Sequence, residues 1–253
     1  GGMDLLFPHH ECEIAQSVAA NKKQPARYWI HNNMITINGQ KMGKSLGNFI
    51  TLTELFQGKH ELLEQAYTPM TIRFFILQAQ YRSTLDFSND GLKAANKAYR
   101  KVMNGMKMLN GLEYSQEPAE HDVKLEEEIK KILDDCYKGM LDDFNTAITL
   151  ASVFNLIKKI NVFYLQQKST AAISRETFDS MKKEFNALVT DVLGLKDEKD
   201  INAEGLIQGL LDLYKEAKEH KQYDKIDQIR VYFKNQGLVI KDMKHGIDWA
   251  YEE

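Results

Sequence analysis

Two short stretches carry residues whose types and spacing could do chemistry. The first is a loop in which Lys41 and Lys44 bracket Met42-Gly43 and are followed by Ser45. Ammonium groups on a glycine-containing loop suit a polyphosphate, because they bring positive charge to a place where the backbone can approach an anion closely. An ordinary solvated surface loop has the same pattern, so the spacing alone leaves both interpretations open.

The second stretch is the start of a helix that the sequence predicts to open at Pro8. His9 and Glu13 stand four residues apart, so both project from one face of its first turns. An imidazole and a carboxylate at that spacing can bind one Zn²⁺, although zinc usually takes at least three protein ligands. Ordinary polar residues near a helix start are the alternative, and Cys12 and His10 point to other sides of the helix.

The elements around the lysine loop follow from local signals. Residues 34–40 alternate apolar and polar and contain Asn38-Gly39, the strongest short hairpin signal. Thr51 and Glu54 have the spacing of a capping box, which predicts the start of the next helix. The loop is therefore expected to leave a strand edge and to enter a helix, and a further helix is expected from Thr68-Pro69.

From Ser88 onward, apolar residues recur with the helical period in four successive stripes. The stripes are Leu92, Ala95, Tyr99, Val102, Met106 and Leu109; Leu125, Ile129, Ile132, Leu133, Cys136 and Met140; Ala147, Leu150, Ala151, Phe154, Ile157, Ile160 and Tyr164; and Phe178, Met181, Phe185, Leu188, Val189 and Val192. Four amphipathic helices with short loops predict an antiparallel bundle, in which Cys136 is a buried small hydrophobe.

A smaller unit is expected after the charged linker Lys196–Asn202. Two helices (about 204–221 and 223–236) precede a strand at 238–243, and Gly246 turns the chain toward residues 247–251. Lysines and arginines alternate with acids on its helices. A solvated helix face and an RNA contact explain these charges equally well.

Composition sets broad limits on function. The 253 residues are 43% hydrophobic and 27% charged, with a formal net charge of −3, so no global basic field attracts nucleic acid, although local patches still can. Two cysteines give no disulfide framework, which favours a reducing cytoplasm. No apolar run has membrane-spanning length and no signal-peptide layout is present, so a cytoplasmic protein without a membrane partner is expected.

Several segments, in their order and separation, resemble the cysteinyl-tRNA synthetase family. They are residues 1–17 (Gly-Gly-Met-Asp through Pro-His-His-Glu-Cys-Glu), Tyr28-Trp29-Ile30-His31, residues 41–48, Tyr81-Arg82-Ser83, residues 142–146, and the tail positions Tyr223, Asp227, Arg230, Gly237, Asp242 and Trp249. The resemblance covers essentially the whole chain, in the order of the C-terminal part of such an enzyme.

The resemblance implies a mainly α fold in four segments. Residues 1–50 would be the end of a Rossmann-like catalytic domain with a KMSKS-type loop, and 51–87 a connective helical segment. Residues 88–195 would be an antiparallel bundle that docks along tRNA, and 204–253 a small α+β anticodon-binding unit. A monomer is expected.

The family activates cysteine with ATP and magnesium to cysteinyl-adenylate and transfers it to the 3′ end of tRNA(Cys). The resemblance assigns catalysis to Lys41 and Lys44, with Lys44 stabilising the departing pyrophosphate. It assigns ATP binding to the same lysines, Ser45 and Asp4, the last at the ribose. Gly43 stands where the family usually has serine and is expected to add backbone freedom without removing either lysine.

The family's zinc holds the substrate sulfur with two cysteines, a histidine and a glutamate. A thiolate on zinc separates cysteine from serine more sharply than pocket size could. By the motif, His9 and Glu13 are two of the ligands, and the cysteines are expected upstream of this chain. Cys12 stands where asparagine is usual.

In the tail, the resemblance gives Tyr223 the role of stacking on a base, and Asp227 and Asp242 that of accepting base protons. Lys218 stands where the family often has arginine, and a lysine cannot make the bidentate base contact. The alternative is that both aspartates cap helices or turns.

No HIGH-type signature and no cysteine pair for zinc occur in the sequence. The chain is therefore expected to be a fragment that cannot make the adenylate unaided. Two other interpretations stay open: a non-catalytic tRNA-binding module, and a ligase that attaches cysteine to a small amino-sugar, against which residues 204–253 count.

Overall fold

The computed structural model describes residues 1–198, 203–243 and 246–251. The chain divides into two compact units, Gly1–Asp197 and Glu198–Glu253. Residues 199–202 of the expected charged linker, and residues 244–245 and 252–253 of the expected anticodon unit, lie outside the described residues.

The first unit begins with short helical turns and a small three-stranded sheet. Its elements are a 3-10 turn (Met3–Leu5), a helical turn (Leu6–His10) broken by the extended backbone of Phe7, α1 (Glu11–Asn21), β1 (Ile35–Ile37), β2 (Gln40–Lys41), a 3-10 turn (Lys44–Leu46), α2 (Leu52–Gln57), α3 (Pro69–Leu77) and β3 (Leu85–Phe87). Strand β1 pairs with β2 in antiparallel and with β3 in parallel. Asn38 and Gly39 join β1 to β2 with φ of 51° and 78°, the positive values that a two-residue type I′ hairpin needs. The hairpin prediction is confirmed.

Helix starts follow the predicted capping signals. Thr51 and Glu54 form a reciprocal capping box at α2, and Thr68 caps α3, which has Pro69 at its first position. Ser88 accepts a hydrogen bond from the Gly91 N–H at the start of the next helix. Such caps satisfy backbone N–H groups that have no partner inside the helix.

The bundle consists of four long helices and a terminal π-helical turn. They are α4 (Asn89–Gly111), α5 (Val123–Leu141), α6 (Thr146–Tyr164), α7 (Arg175–Asn186) and the π turn Ala187–Val192, with a 3-10 turn at Thr170–Ala172. Most stripe residues are buried in one continuous core. Cys136 is 1% exposed, and burial raises the pKa of its thiol to about 12, so it is an inert core residue as predicted.

Three members of the predicted stripes are exposed. Ala151 and Tyr164 lie on the outside of α6, because α6 contacts α3, α4 and α5 and its buried surface centres on Val153, Leu156 and Phe163. Val192 is exposed because the π turn alters the helical phase before Gly194 ends it.

By length and composition alone, α6 could cross a membrane. The residues that make it apolar are those that pack against its neighbours in the bundle, among them Val153, Leu156 and Ile160. Core packing therefore accounts for this apolar helix.

The second unit has its own core. It contains α8 (Ala203–Glu219), α9 (Tyr223–Asn235), and strands β4 (Leu238–Met243) and β5 (Gly246–Tyr251), which pair in antiparallel. The buried residues are Leu211, Tyr214, Ala217, Ile226, Ile229 and Phe233. The predicted order of two helices followed by strands is confirmed, and the fold as a whole is mainly helical as expected.

Candidate functional site

The lysine loop presents its cations to solvent. Lys41 is the last residue of β2, and Lys44 and Ser45 lie in the 3-10 turn that follows. All three are exposed. The Lys44 ammonium lies 5.4 Å from the centroid of the Phe49 ring, a distance at which a cation is attracted to the face of an aromatic ring. Neither lysine forms an ion pair with any described residue, so both charges are available to an anion.

Asn48 fixes the shape of this loop. It is 9% exposed; its side-chain oxygen accepts a hydrogen bond from the Gly43 N–H at 2.9 Å, and its amide donates to the Lys41 carbonyl at 3.1 Å. The two bonds connect the backbone on either side of Met42. The sequence analysis gave Asn48 no role. A polar residue just after the lysines was the one feature that could have indicated these bonds to the loop backbone.

Gly43 does not supply the conformational freedom expected of it. Its φ is −165° and its ψ is 144°, an extended backbone that any residue adopts. A Cβ at this position would lie 3.9 Å from the Leu46 side chain, an ordinary contact. The loop therefore accommodates the serine usual in the resembled family. The glycine that its geometry does need is Gly47, whose φ is 70°.

Asp86 holds the hairpin from which the loop emerges. Its Oδ1 accepts hydrogen bonds from the Thr36 hydroxyl at 2.6 Å and from the Gly39 N–H at 2.8 Å. These bonds lower the pKa of Asp86. They join β3 to both the strand and the turn of the hairpin, about fifty residues away in sequence.

His9 and Glu13 lie in consecutive turns at the start of the first helix, and both are exposed. Imidazole and carboxylate are suitable zinc ligands, but among the described residues no group of three or more histidines, cysteines and acids could hold a metal ion. Cys12 is also exposed and does not complete a set. These residues could therefore contribute part of a zinc site, and the described chain does not complete one.

His10, by contrast, is a packed residue. It is 9% exposed, its Nδ1 lies 2.9 Å from Nε2 of His31, and its ring centroid lies 5.0 Å from that of Trp29. Desolvation, followed by the charge of His10, lowers the pKa of His31. This cluster secures the helical turn that carries His9 to the segment around Trp29, a contact that the sequence did not indicate.

Asp4 lies in the first 3-10 turn and is exposed. A Cβ on Gly2 would lie 2.3 Å from Oδ1 of Asp4, so a larger residue at position 2 would require this exposed carboxylate to turn away. The Gly-Gly-Met-Asp sequence thus brings this carboxylate directly against the backbone.

In the second unit, Tyr223 and Asp227 share one exposed face of α9. They are four residues apart, the tyrosine is 68% exposed and the aspartate side chain 75%. Asp227 lies inside the helix, so it is not a capping residue. An exposed aromatic ring with a carboxylate one turn away can stack on a base and accept its protons.

Asp242 has a different environment. Its carboxylate accepts hydrogen bonds from Lys218 at 2.9 Å and from the Tyr214 hydroxyl at 3.1 Å, and lies 3.5 Å from the Arg230 guanidinium. The Lys218 bond is the main reason why the pKa of Asp242 is lowered. Asp242 lies in strand β4 and caps no helix. Asp242 and Lys218 thus bind each other, whereas the sequence suggested two separate RNA contacts.

Comparison with protein-family models gives two matches. Residues 1–97 match the class I (C) tRNA synthetase catalytic domain, and residues 136–196 match the DALR domain. The first range contains the lysine loop and the His9 helix, and the second lies within the bundle.

Curated relatives match nearly the whole chain. A cysteine–tRNA ligase of Cytophaga hutchinsonii is 80% identical over all of this chain and 51% of the relative. Those of Bacteroides thetaiotaomicron and Persephonella marina are 45% and 35% identical over 98% of the chain, covering 50% and 53% of each relative. The chain thus spans about half the length of the curated relatives it matches.

Among solved structures, a LeuRS–tRNA–LeuAMS ternary complex from Agrobacterium radiobacter K84 is similar over 77% of this chain and 25% of that one. The sequence identity is 14% and the TM-score 0.49, a likeness too weak to support an argument.

Proposed function

Because the chain belongs to the cysteine–tRNA ligase family, we propose that its residues serve the ATP-dependent joining of cysteine to tRNA(Cys). The observation that carries the proposal is the 80% identity to such a ligase over all 253 residues. The reaction has two steps: cysteine and ATP give cysteinyl-adenylate and pyrophosphate, and the cysteinyl group then passes to the 3′ end of the tRNA. A cytoplasmic, monomeric enzyme is part of the proposal.

Lys41 and Lys44 are proposed to bind the phosphates of ATP, with magnesium neutralising part of the charge. Their exposure on a loop that Asn48 fixes supports this role. Negative charge develops on the leaving pyrophosphate, so an ammonium group placed there stabilises the transition state more than it stabilises bound ATP. Ser45 and Asp4 are proposed as further ATP contacts, Asp4 at the ribose.

A chimera tests this proposal, with these 253 residues replacing the matching half of the Cytophaga hutchinsonii relative. It should catalyse cysteine-dependent ATP–pyrophosphate exchange and charge tRNA(Cys). Lys44→Ala should lower kcat for exchange by about 10²–10³-fold with little change in ATP binding. The matched control is Lys59→Ala, an exposed lysine outside the loop, which should leave kcat unchanged.

A folded chimera without exchange activity would contradict the proposal. Binding of tRNA(Cys) by that inactive chimera would favour a non-catalytic RNA-binding module. The cysteine–tRNA ligases align with this chain through its second unit. This weighs against a ligase that acts on a small amino-sugar.

His9 and Glu13 are proposed as two of four zinc ligands, the others being cysteines outside this chain. When bound, zinc would hold the sulfur of cysteine and exclude serine. In the chimera, His9→Ala or Glu13→Ala should lower the zinc content after washing with a chelator, whereas Cys12→Ser should not. Equal zinc in all variants would remove both residues from the metal site.

The second unit is proposed to read the anticodon. Tyr223 and Asp227 are suited to direct contact because both are exposed on one face of α9. Lys218 and Asp242, which bind each other, are proposed to act together beside that face. Carboxylate contacts to base edges discriminate between sequences, whereas lysine contacts to phosphate do not.

A further inference from the structure

After Asp90 in its first turn, helix α4 carries only positive charge on its polar face. Between Gly91 and Gly111 it carries five cationic residues and no acidic one: Lys93, Lys97, Arg100, Lys101 and Lys107. The whole chain has a net charge of −3, so this helix departs from the average composition. In contrast, α5 alternates lysines with acids and forms ion pairs along its own surface, such as Lys138 with Asp134.

The cations of α4 lie on one side of the helix. At 3.6 residues per turn, Lys93, Lys97, Arg100 and Lys107 lie within about 40° of a common line, over a length of roughly 21 Å. The opposite side, which includes Leu92, Ala95, Tyr99, Val102 and Leu109, is buried in the bundle. The charged face is therefore turned to solvent along the whole helix.

Three of these cations form no ion pair within the part of the chain that the structure describes. Lys93 pairs with Glu64, and the Lys101 ammonium lies 5.6 Å from the Phe154 ring centroid. No carboxylate in residues 1–198, 203–243 or 246–251 forms an ion pair with Lys97, Arg100 or Lys107, and all three are exposed.

This arrangement is unfavourable for the isolated helix. Lys93 and Lys97, and Lys97 and Arg100, are four and three residues apart, and like charges at these spacings repel each other. A row of unpaired cations on a rigid helix instead matches an extended polyanion, because each ammonium or guanidinium group can release a counterion from a phosphate.

We propose that the α4 face formed by Lys97, Arg100 and Lys107 binds the phosphate backbone of tRNA. The proposal rests on the proposed function and adds the surface by which the bundle holds that partner. Phosphate contacts carry no base information, so this face positions the tRNA without selecting its sequence.

The test is the salt dependence of tRNA binding. A triple variant, Lys97→Gln/Arg100→Gln/Lys107→Gln, is compared with Lys124→Gln/Lys131→Gln/Lys138→Gln, which removes the same charge from the exposed side of α5. Fluorescence anisotropy measures the Kd of the 253-residue chain for labelled tRNA(Cys) at several salt concentrations, and circular dichroism checks that both variants fold.

The α4 variant should bind roughly 100-fold more weakly at 0.1 M salt. The magnitude of its log–log salt slope should fall by about 2–3, since each of the three lost phosphate contacts removes ~0.7–0.9. The α5 variant should keep the wild-type slope. For an anticodon-swapped tRNA, the α4 variant should weaken binding by the same factor as for tRNA(Cys).

An unchanged slope in the α4 variant, with normal wild-type binding, would overturn the surface assignment while leaving the proposed ligase function intact. A wild-type chain that binds no tRNA would contradict both the surface and the tRNA-binding role proposed for the chain.

Discussion

Asn48 connects the two ends of the lysine loop through hydrogen bonds to Gly43 and Lys41. Asn48→Ala would remove both bonds from partners that solvent can partly reach, which costs about 0.5–1.5 kcal/mol per bond. If Asn48 acts by positioning Lys44, kcat for pyrophosphate exchange in the chimera should fall at least tenfold, with little change in KM for ATP.

A double variant distinguishes positioning from general damage. Because Asn48 would act through Lys44, Asn48→Ala should add little to the loss already caused by Lys44→Ala. Fully additive losses in kcat would show that the two side chains act independently.

Gly43 provides the opposite prediction for the same loop. Its backbone is extended and an added Cβ would meet no atom closer than 3.9 Å, so Gly43→Ser should change stability by less than about 0.5 kcal/mol. Exchange activity of the chimera should stay within a factor of two. A large loss of activity would mean that the loop adopts a second conformation in which only glycine fits.

Glu126 shows how burial and hydrogen bonding compete at one carboxylate. Its side chain is 8% exposed, and it accepts bonds from Lys130, Thr177 and the N–H and hydroxyl of Ser174. Burial disfavours the charged form, but these bonds outweigh it and hold the pKa well below its ordinary value. Glu126 thereby joins α5 to the start of α7.

Glu126→Gln should therefore destabilise the first unit by about 1.5–3 kcal/mol at neutral pH. Because the folded pKa is depressed, the contribution is fully present above the unfolded value of about 4.3 and is lost as the pH falls below it. Urea unfolding at pH 7 and in the acid range should show that the difference in the free energy of unfolding between wild type and variant shrinks as the pH falls. A difference independent of pH would contradict this account.

At the scale of elements, the sequence predicted what depends on local spacing. Caps at Thr51, Thr68 and Ser88, the Asn38-Gly39 turn and most core stripes all depend on neighbours within one or two turns. It did not predict bonds between distant segments, such as Asp86 to Gly39 or Glu126 to Ser174. A repeat of 3.6 residues identifies the buried face of a helix that packs against one neighbour. Helix α6 packs against α3, α4 and α5, so its repeat did not give its buried surface correctly.

The second unit illustrates the same limit, because two aspartates with the same expected role have different surroundings. Asp242→Asn should weaken the bonds to Lys218 and Tyr214 and destabilise this unit by about 1 kcal/mol, a small value because the site is partly exposed. Asp227→Asn should change stability by less than about 0.5 kcal/mol. Urea unfolding followed by tryptophan fluorescence measures both, in a Trp29→Phe background that leaves Trp249 as the reporter.

Charging of tRNA(Cys) by the chimera completes the comparison. Asp227→Asn should lower charging while sparing pyrophosphate exchange, because its exposed carboxylate, 3.9 Å from the Arg230 guanidinium, can exchange that ion pair for a contact with a base. Normal charging by the Asp227 variant, with both the cognate tRNA and an anticodon-swapped one, would exclude this residue from recognition.

At the scale of the whole molecule, two separate cores predict two unfolding events. The bundle core and the core around Tyr214 and Phe233 contain different residues, and the chain divides near Asp197. Phe233→Ala, which removes a side chain that is 2% exposed, should cost the second unit about 3–5 kcal/mol. The first unit, with its own core, should keep its midpoint.

Calorimetry of the 253-residue chain measures this, since independent units give separable transitions. A chain truncated after Asp197 should retain the transition that Phe233→Ala leaves unchanged, and Phe185→Ala in the bundle should shift that transition alone. A single transition shifted by both substitutions would show that the two cores unfold cooperatively.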